Sequence, residues 1–325
     1  MNYHSLIQHL GHNAVSWKQL LENGISYSSF KLPKNNGKMR LIEAPAPELK
    51  RTQKLLSHLL YTHYLPHAPE SVHGFIRMKN APRSILSNAK AHLGRKFMTN
   101  IDLKDFYHQI EQQKTECIIW EAYPWLLPAE LDTLLKVVLK DNRLPMGAPS
   151  SSVLSNMAFL ECDKDLEEYA LKSKLTYTRY VDDLTFSGNQ SLSEAKVSGL
   201  LEIIRSHGFR ENPNKIKHYS EDEVKVITGI AMDGLKLSVD EDLKKRLLKN
   251  IKELKKLNQI KSQLKFMGIK PENNSRIKTL NRAIKGQLEF VKQIEGQGSP
   301  YHQQLAKALQ NSSKEFIDIN LSVYF

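Results

Sequence analysis

Cysteine is scarce in this chain: Cys117 and Cys162 are the only two in 325 residues. Two isolated thiols make neither a metal-ligand cluster nor a disulfide framework, which argues against a structural zinc and for a reducing cytoplasm. Long apolar runs are missing too. No stretch approaches the roughly 20 residues that a membrane span needs, and the opening Met-Asn-Tyr-His-Ser-Leu-Ile-Gln-His lacks the regions of a signal peptide. Internal repeats and low-complexity tracts are absent. Negative charge is in short supply, with 35 Asp+Glu against 47 Lys+Arg, a net charge of +12 and a pI near 9.4. Such an excess calls for a polyanionic partner, and with no membrane segment that partner is nucleic acid. Apolar residues make up 40% of the chain, enough for one large core or two to three ordinary ones.

The stretch that organises the rest is Tyr177–Thr178–Arg179–Tyr180–Val181–Asp182–Asp183–Leu184–Thr185–Phe186–Ser187. Residues suited to a half-buried pleated surface lead in and out of two adjacent aspartates. Neighbouring carboxylates repel, and neither favours a strand, so a tight hairpin displaying both is expected. Hard oxygen ligands of this kind suit Mg²⁺; an ordinary polar hairpin tip is the alternative. Lys96–Asp102 reads as a buried strand ending in a carboxylate just before a helix start, with a helix cap at Asp102 or Asp105 as the alternative.

Upstream, residues 1 to about 30 read as helical. Lys31–Glu43 reads as a basic β-hairpin turning at Asn36–Gly37, whose Lys38 and Arg40 could reach a triphosphate. A helix to about Leu65 follows, with Leu55, Leu56, Leu59 and Leu60 on one face. Asn88 and His92 fall on one face of a helical segment, and His92 reads as structural. Leu144–Ser152 is a loop whose small Gly147 and Ala148 would let backbone approach a planar or phosphate-bearing ligand; a plain loop with a serine cap is the alternative. Capping boxes are expected at Ser191/Glu194 and Ser238/Glu241, and a strand broken at Thr228–Gly229 spans Val224–Ala231. Beyond a boundary near Leu235, an amphipathic helix carries Leu243, Leu247, Ile251, Leu254 and Leu257, with lysines on its other face. A second helix carries Ile277, Leu280, Ile284, Leu288 and Val291. The nearly single-signed outer faces read as a surface that tracks phosphates.

Asp102 and the Asp182–Asp183 hairpin, about eighty residues apart, have the spacing of a split site assembled by a sheet. Three carboxylates could clamp two Mg²⁺ ions for an in-line phosphoryl displacement. The motifs Ile101–Tyr107, Leu144–Ser151 and Tyr180–Asp183 occur in the order of the palm motifs of reverse transcriptases, and Gly208–Lys215 and Val226–Gly229 are similar to the later palm blocks. Within that superfamily the chain most resembles bacterial retron reverse transcriptases, through Asn88–His92 and through Ile227–Thr228–Gly229, where Ile replaces the usual Val. The likeness spans about residues 38 to 290.

This resemblance implies an α+β fold of right-hand polymerase architecture. An N-terminal helical extension would span 1–30, fingers 31–95 and 111–175, a palm 96–110 and 176–235 carrying the acidic hairpin, and a helical thumb 236–325. Asp102, Asp182 and Asp183 would hold the metals, with the Leu103 carbonyl as a further ligand. Lys38 and Arg40 would hold the triphosphate of a deoxynucleotide, with Gly147 and Ala148 also against the nucleotide. Tyr107 would exclude a 2′-hydroxyl, and Lys215 would give a proton to the leaving pyrophosphate. Met146 stands where the family usually has Gln, and Ser152 where it has Pro; Met146 cannot donate the amide hydrogen bonds of Gln, so template or nucleotide positioning is expected to differ there. The implied activity is copying a cognate structured non-coding RNA into a branched RNA–DNA hybrid (msDNA), primed from a guanosine 2′-hydroxyl, in antiphage defence with an effector protein. Another bacterial reverse transcriptase or a non-catalytic RNA-binding scaffold are the alternatives; the chain ends too early for an intron enzyme's maturase and endonuclease segments.

Overall fold

The computed structural model describes residues 24–33, 37, 39–78, 83–268 and 275–313. The chain divides into two compact units, Met1–Asp222 and Glu223–Phe325. The first opens on an antiparallel hairpin in which β1 (Tyr27–Pro33) pairs with β2 (Met39–Pro45), Tyr27 facing Pro45 and Pro33 facing Met39. Residues 1–23 of the expected helical extension lie outside the described residues. Residues 27–30 are strand rather than helix, because their partners Ile42–Pro45 continue the ladder. Helix α1 (Pro47–Tyr64) starts on proline, whose missing N–H is no loss in a first turn. It buries Leu49, Leu56, Leu60 and Tyr64, while Leu55 turns outward.

After the short helix α2 (Ile85–Lys90), β3 (Phe97–Asp102) runs into a 3-10 turn at Phe106–Gln109. Helices α3 (Gln112–Ala122), α4 (Pro128–Val138), α5 (Ser151–Ala158) and α6 (Leu160–Lys172) follow. Then come β4 (Thr176–Tyr180), β5 (Asp183–Gly188), α7 (Glu194–Ser206), a 3-10 turn at Pro213–Lys215 and β6 (Lys217–Tyr219). The cap of α7 is Ser193, one residue before the helix, rather than Ser191. The sheet has the order β4-β5-β3-β6, antiparallel throughout, so the two strands bearing the acidic residues are central neighbours. Ile101, Leu184 and Phe186 belong to its core, as do Phe106, Phe159 and Phe209, whose rings meet at 4.7 to 5.7 Å between centroids.

His92 ties this sheet together. Its ring is buried, with Nδ1 at 2.6 Å from the Ser187 hydroxyl on β5 and Nε2 at 2.7 Å from the Thr178 hydroxyl on β4. Burial pushes its pKa down to about 3, helped by His73 and Arg95, so the imidazole is neutral in the folded chain. In the unfolded chain it titrates near 6.5. The unfolded state therefore binds more protons between those values, and stability falls as pH drops below about 6.5. By pH 5 the loss from this one group is about 2 kcal/mol. Denaturant midpoints at pH 7 and pH 5 should separate more for the parent than for His92→Gln, which keeps an amide donor and acceptor but does not titrate. Equal separation would assign the acid sensitivity elsewhere.

The second unit starts as a three-stranded meander of β7 (Lys225–Ile227), β8 (Ile230–Asp233) and β9 (Lys236–Val239). The expected broken strand is thus a hairpin. Thr228 and Gly229 both have positive φ, 48° and 84°, as a two-residue turn matched to strand twist requires. Helices α8 (Glu241–Phe266), α9 (Ser275–Glu295) and α10 (Pro300–Ser313) complete the unit. Leu243, Leu247, Ile251 and Leu254 of α8 bury against Leu280, Ile284, Leu288 and Val291 of α9 in one core. The α8 cap is Asp240, whose carboxylate accepts from Leu243 N–H at 2.7 Å. Ser238 is committed to β9 instead, opposite Ala231.

Glu295 of α9 accepts the Val239 N–H at 3.1 Å, and Val239 joins the helical core. These ties place the meander with the helices, so the units divide at Asp222/Glu223 rather than near Leu235. No described helix is long and apolar enough to cross a membrane.

Candidate active site

The register of β3 on β5 sets Asp102 directly opposite Asp183, and the β4–β5 turn places Asp182 beside them. Leu103, itself buried, donates its N–H to the Asp182 carbonyl at 2.9 Å, which fixes the hairpin tip against the end of β3. On the other side Asn212 N–H donates to the Asp102 carbonyl at 2.7 Å and Lys104 N–H to the Arg210 carbonyl at 3.0 Å. That segment delivers Lys215, whose ammonium sits 2.6 Å from Asp102 Oδ1.

The tip of the hairpin is strained and held. Val181 has a φ of 63°, a left-handed value that a β-branched residue rarely adopts. Two features over-determine it. The Arg179 guanidinium donates to the Val181 carbonyl at 3.0 Å, and the bare α-carbon of Gly74 lies so close that an added Cβ would meet Val181 N at 2.6 Å. Arg179 is wholly buried. It gives Nε and Nη2 to Asp163 at 2.8 and 2.6 Å and Nη1 to Asn156 at 3.2 Å, while Tyr177 adds a hydroxyl donor to Asp163 at 2.8 Å. Burial disfavours its cation, but Asp163 outweighs that and its pKa is raised.

The three acidic residues, each partly exposed, repel one another. Burial, then Asp182 and Asp102, push the Asp183 carboxyl up to about 7; burial, then Asp102, raise that of Asp182. Lys215 and Arg40 pull both the other way, so these two cations act on this site. Arg40 lies on β2 opposite Leu32. Lys38 lies outside the described residues.

Among the described residues no group of three or more His, Cys, Asp and Glu stands ready to hold a metal ion. Asp182 lies in the hairpin turn while Asp183 opens β5, and Asp102 is engaged by Lys215. The donor set nevertheless fits a hard cation. The unrelieved negative charge at Asp182 and Asp183 would be neutralised by one, and Mg²⁺ takes only one or two carboxylates, completing its shell with water and phosphate oxygens.

Tyr107 lies on the 3-10 turn after β3, half-buried, with Ser152 and Ser155 of α5 as hydroxyl partners. Burial pushes its pKa to about 12, and the charge of Asp182 adds to that. The expected Pro position therefore carries a hydroxyl that Tyr107 uses. Gly147 and Ala148 have an evident packing role: Ala148 is buried, and a Cβ at Gly147, whose φ is 130°, would meet the Glu43 carbonyl at 2.9 Å. The Met146 carbonyl accepts from the Glu43 N–H at 2.8 Å and the Met146 N–H donates to the Glu43 carboxylate at 3.3 Å, so this part of the loop runs along β2.

Sequence reasoning missed Glu43 and Arg179 as site supports. Arg179, a charge inside a strand of aromatic and β-branched residues, was the one available signal. Glu43 had none, since its partners lie about a hundred residues away.

Comparison with known proteins gives this geometry its class. The family model described as reverse transcriptase (RNA-dependent DNA polymerase) matches residues 32–271, and the chain belongs to that family, with its right-hand polymerase fold. Its relatives there are bacterial retron enzymes. Retron Ec83 reverse transcriptase of Escherichia coli is 30% identical over 238 residues, covering 67% of this chain and 72% of that protein. Retron Mx162 reverse transcriptase of Myxococcus xanthus is 30% identical over 66% of this chain and 48% of its own length. The chain spans about half the length of the two Myxococcus xanthus relatives. Among solved structures, telomerase from Candida albicans in complex with a TWJ fragment of telomeric RNA is similar at TM-score 0.49, with 11% identity over 94% of this chain and 67% of that one.

Proposed function

We propose that this chain is an RNA-directed DNA polymerase of the retron type. The observation that carries the reading is the convergence of Asp102, Asp182 and Asp183 with Lys215 and Arg40 at one end of the β4-β5-β3-β6 sheet. Asp102, Asp182 and Asp183, with the Leu103 carbonyl, would hold two Mg²⁺ ions. When bound, the ions would activate the attacking hydroxyl and offset charge on the leaving pyrophosphate.

The chain's own groups do the rest. Arg40, with Lys38, takes the triphosphate of the incoming deoxynucleotide, for which a guanidinium fork is well matched. The nucleotide lies against Gly147 and Ala148. Tyr107 packs under its sugar and leaves no room for a 2′-hydroxyl. Lys215, paired with Asp102 and half-exposed, would supply a proton to the leaving pyrophosphate. Residues 31–95 and 111–175 serve as fingers and 96–110 and 176–222 as palm, while the unit from Glu223 onward, its strand meander included, serves as thumb.

The template is a cognate structured RNA. Synthesis starts from a guanosine 2′-hydroxyl and yields msDNA, a branched RNA–DNA hybrid, in cytoplasmic antiphage defence beside an effector protein. The purified chain, given that RNA, deoxynucleotides and Mg²⁺, should produce DNA that stays covalently joined to RNA until a 2′,5′-debranching enzyme releases it. DNA free of RNA from the outset would contradict 2′-hydroxyl priming.

Lys245, Lys249 and Lys252 are exposed on α8, opposite the Leu243–Leu247–Ile251–Leu254 seam. They can grip phosphates without disturbing the core. Each lost contact should lower the salt slope of RNA binding by about one unit. Replacing all three by Gln should weaken RNA binding and processivity more than single-nucleotide addition, and a salt titration reads the change. A parental slope and affinity would make them a solvated face.

A further inference from the structure

Three elements carry the residues proposed above to meet the nucleotide: β2 with Arg40, the Phe106–Gln109 turn with Tyr107, and the 144–150 loop with Gly147 and Ala148. One side chain touches all three. Glu43 lies on β2 three residues after Arg40 and is completely buried. Arg143 clamps its carboxylate from two sides, Nη1 to Oε2 at 2.9 Å and Nη2 to Oε1 at 3.2 Å, and Lys140 adds an ammonium at 2.9 Å. Met146 N–H reaches the same carboxylate at 3.3 Å, and His108, next to Tyr107, brings Nε2 to 3.5 Å. The Glu43 backbone pairs with Met146 and packs against the bare α-carbon of Gly147.

Such a cluster does not stabilise the fold cheaply, because buried ions lose hydration that their pairing only offsets. Burial by itself pushes the Glu43 carboxyl up, yet Arg143 and Lys140 outweigh it and hold the pKa near 2, so the charge persists. A charge kept there, satisfied from three directions, fixes geometry. Arg143 and Lys140 face each other across a tight turn, each donating its N–H to the other's carbonyl, at 3.2 and 2.9 Å. The two cations of the clamp are therefore held side by side by bonds of their own turn, which do not involve Glu43.

We propose that Glu43 is a positioning residue of the nucleotide site, setting the register of Arg40, Tyr107 and the Gly147–Ala148 loop relative to one another. The inference rests on the polymerase reading above and adds a residue that touches none of the reacting atoms. Loss of the clamp leaves the carboxylates and Lys215 where they are, because the bonds that hold them lie on β3, β5 and the 210–215 segment. It loosens the elements that receive the deoxynucleotide.

The test is steady-state addition of one deoxynucleotide to an RNA-templated primer by the parent, Glu43→Gln and Arg143→Lys. Glu43→Gln should raise KM for the deoxynucleotide about tenfold with kcat within about threefold, and should lower discrimination against the ribonucleotide. Arg143→Lys, which keeps the charge but loses the fork, should give a smaller change of the same kind. RNA affinity should stay parental in both, a readout that general unfolding would move. If Glu43→Gln does not fold, the Arg143→Lys result decides alone. Parental KM and discrimination in the folded variants would overturn the inference while leaving the polymerase reading intact. A parent that adds no nucleotide would remove that reading, and this inference with it.

Discussion

Asp182→Asn is expected to cut nucleotide addition by at least about a thousandfold while leaving the unfolding transition unchanged or slightly raised. A thousandfold loss corresponds to about 4 kcal/mol of transition-state stabilisation. That is a reasonable share for one charged metal ligand where electrostatic stabilisation carries the reaction. The substitution is nearly isosteric. It also relieves repulsion, since the Asp182 charge helps push Asp183 up to about 7. Activity and stability should therefore move independently, which separates a metal-binding role from a structural one. A variant that loses activity only in proportion to lost fold would point to the latter.

Asp163→Ala should act in the opposite sense, on the fold first. Asp163 is the counter-ion of a guanidinium with no exposed surface, and its removal strands the Arg179 charge and the Tyr177 hydroxyl together. Breaking a buried pair from one side costs about 3–5 kcal/mol, a large part of the margin of an ordinary domain. Arg179 also holds the Val181 carbonyl at the strained tip. Any folded fraction should accordingly show the hairpin loosened and activity reduced beyond the loss of folded protein. Denaturant unfolding with activity normalised to the folded fraction makes the distinction. A loss below about 1 kcal/mol would mean that water reaches Arg179.

The acidic hairpin, the strand ending at Asp102 and the paired leucine seams of α8 and α9 were legible in the sequence because each is a local pattern. Alternation flags strands, a spacing of three and four flags helices, and an acidic pair inside a β-rich run flags a displayed tip. Smaller features went astray where neighbouring residues compete. Ser193 caps α7 instead of Ser191, and Asp240 caps α8 while Ser238 stays in β9. Tyr27–Phe30 extend a hairpin strand because its partner strand continues to Pro45. The supports of the site were not legible for a different reason. Glu43 meets Arg143 across a hundred residues, and Gly74 meets Val181 across a similar gap. Such contacts exist only once the sheet has formed. The Ser152 hydroxyl beside Tyr107 shows the same limit: the departure from Pro was visible, but its partner was not.

Single-nucleotide addition on a primed RNA template, followed as Mg²⁺ is titrated, tests the central claim most directly. The account predicts that the parent adds deoxynucleotides at a rate that rises with Mg²⁺ and vanishes with chelator. Asp182→Asn, bound to the same RNA with parental affinity, should add none at a measurable rate. Equal rates from parent and variant, or a parent that binds the primed RNA and never extends it, would contradict the account.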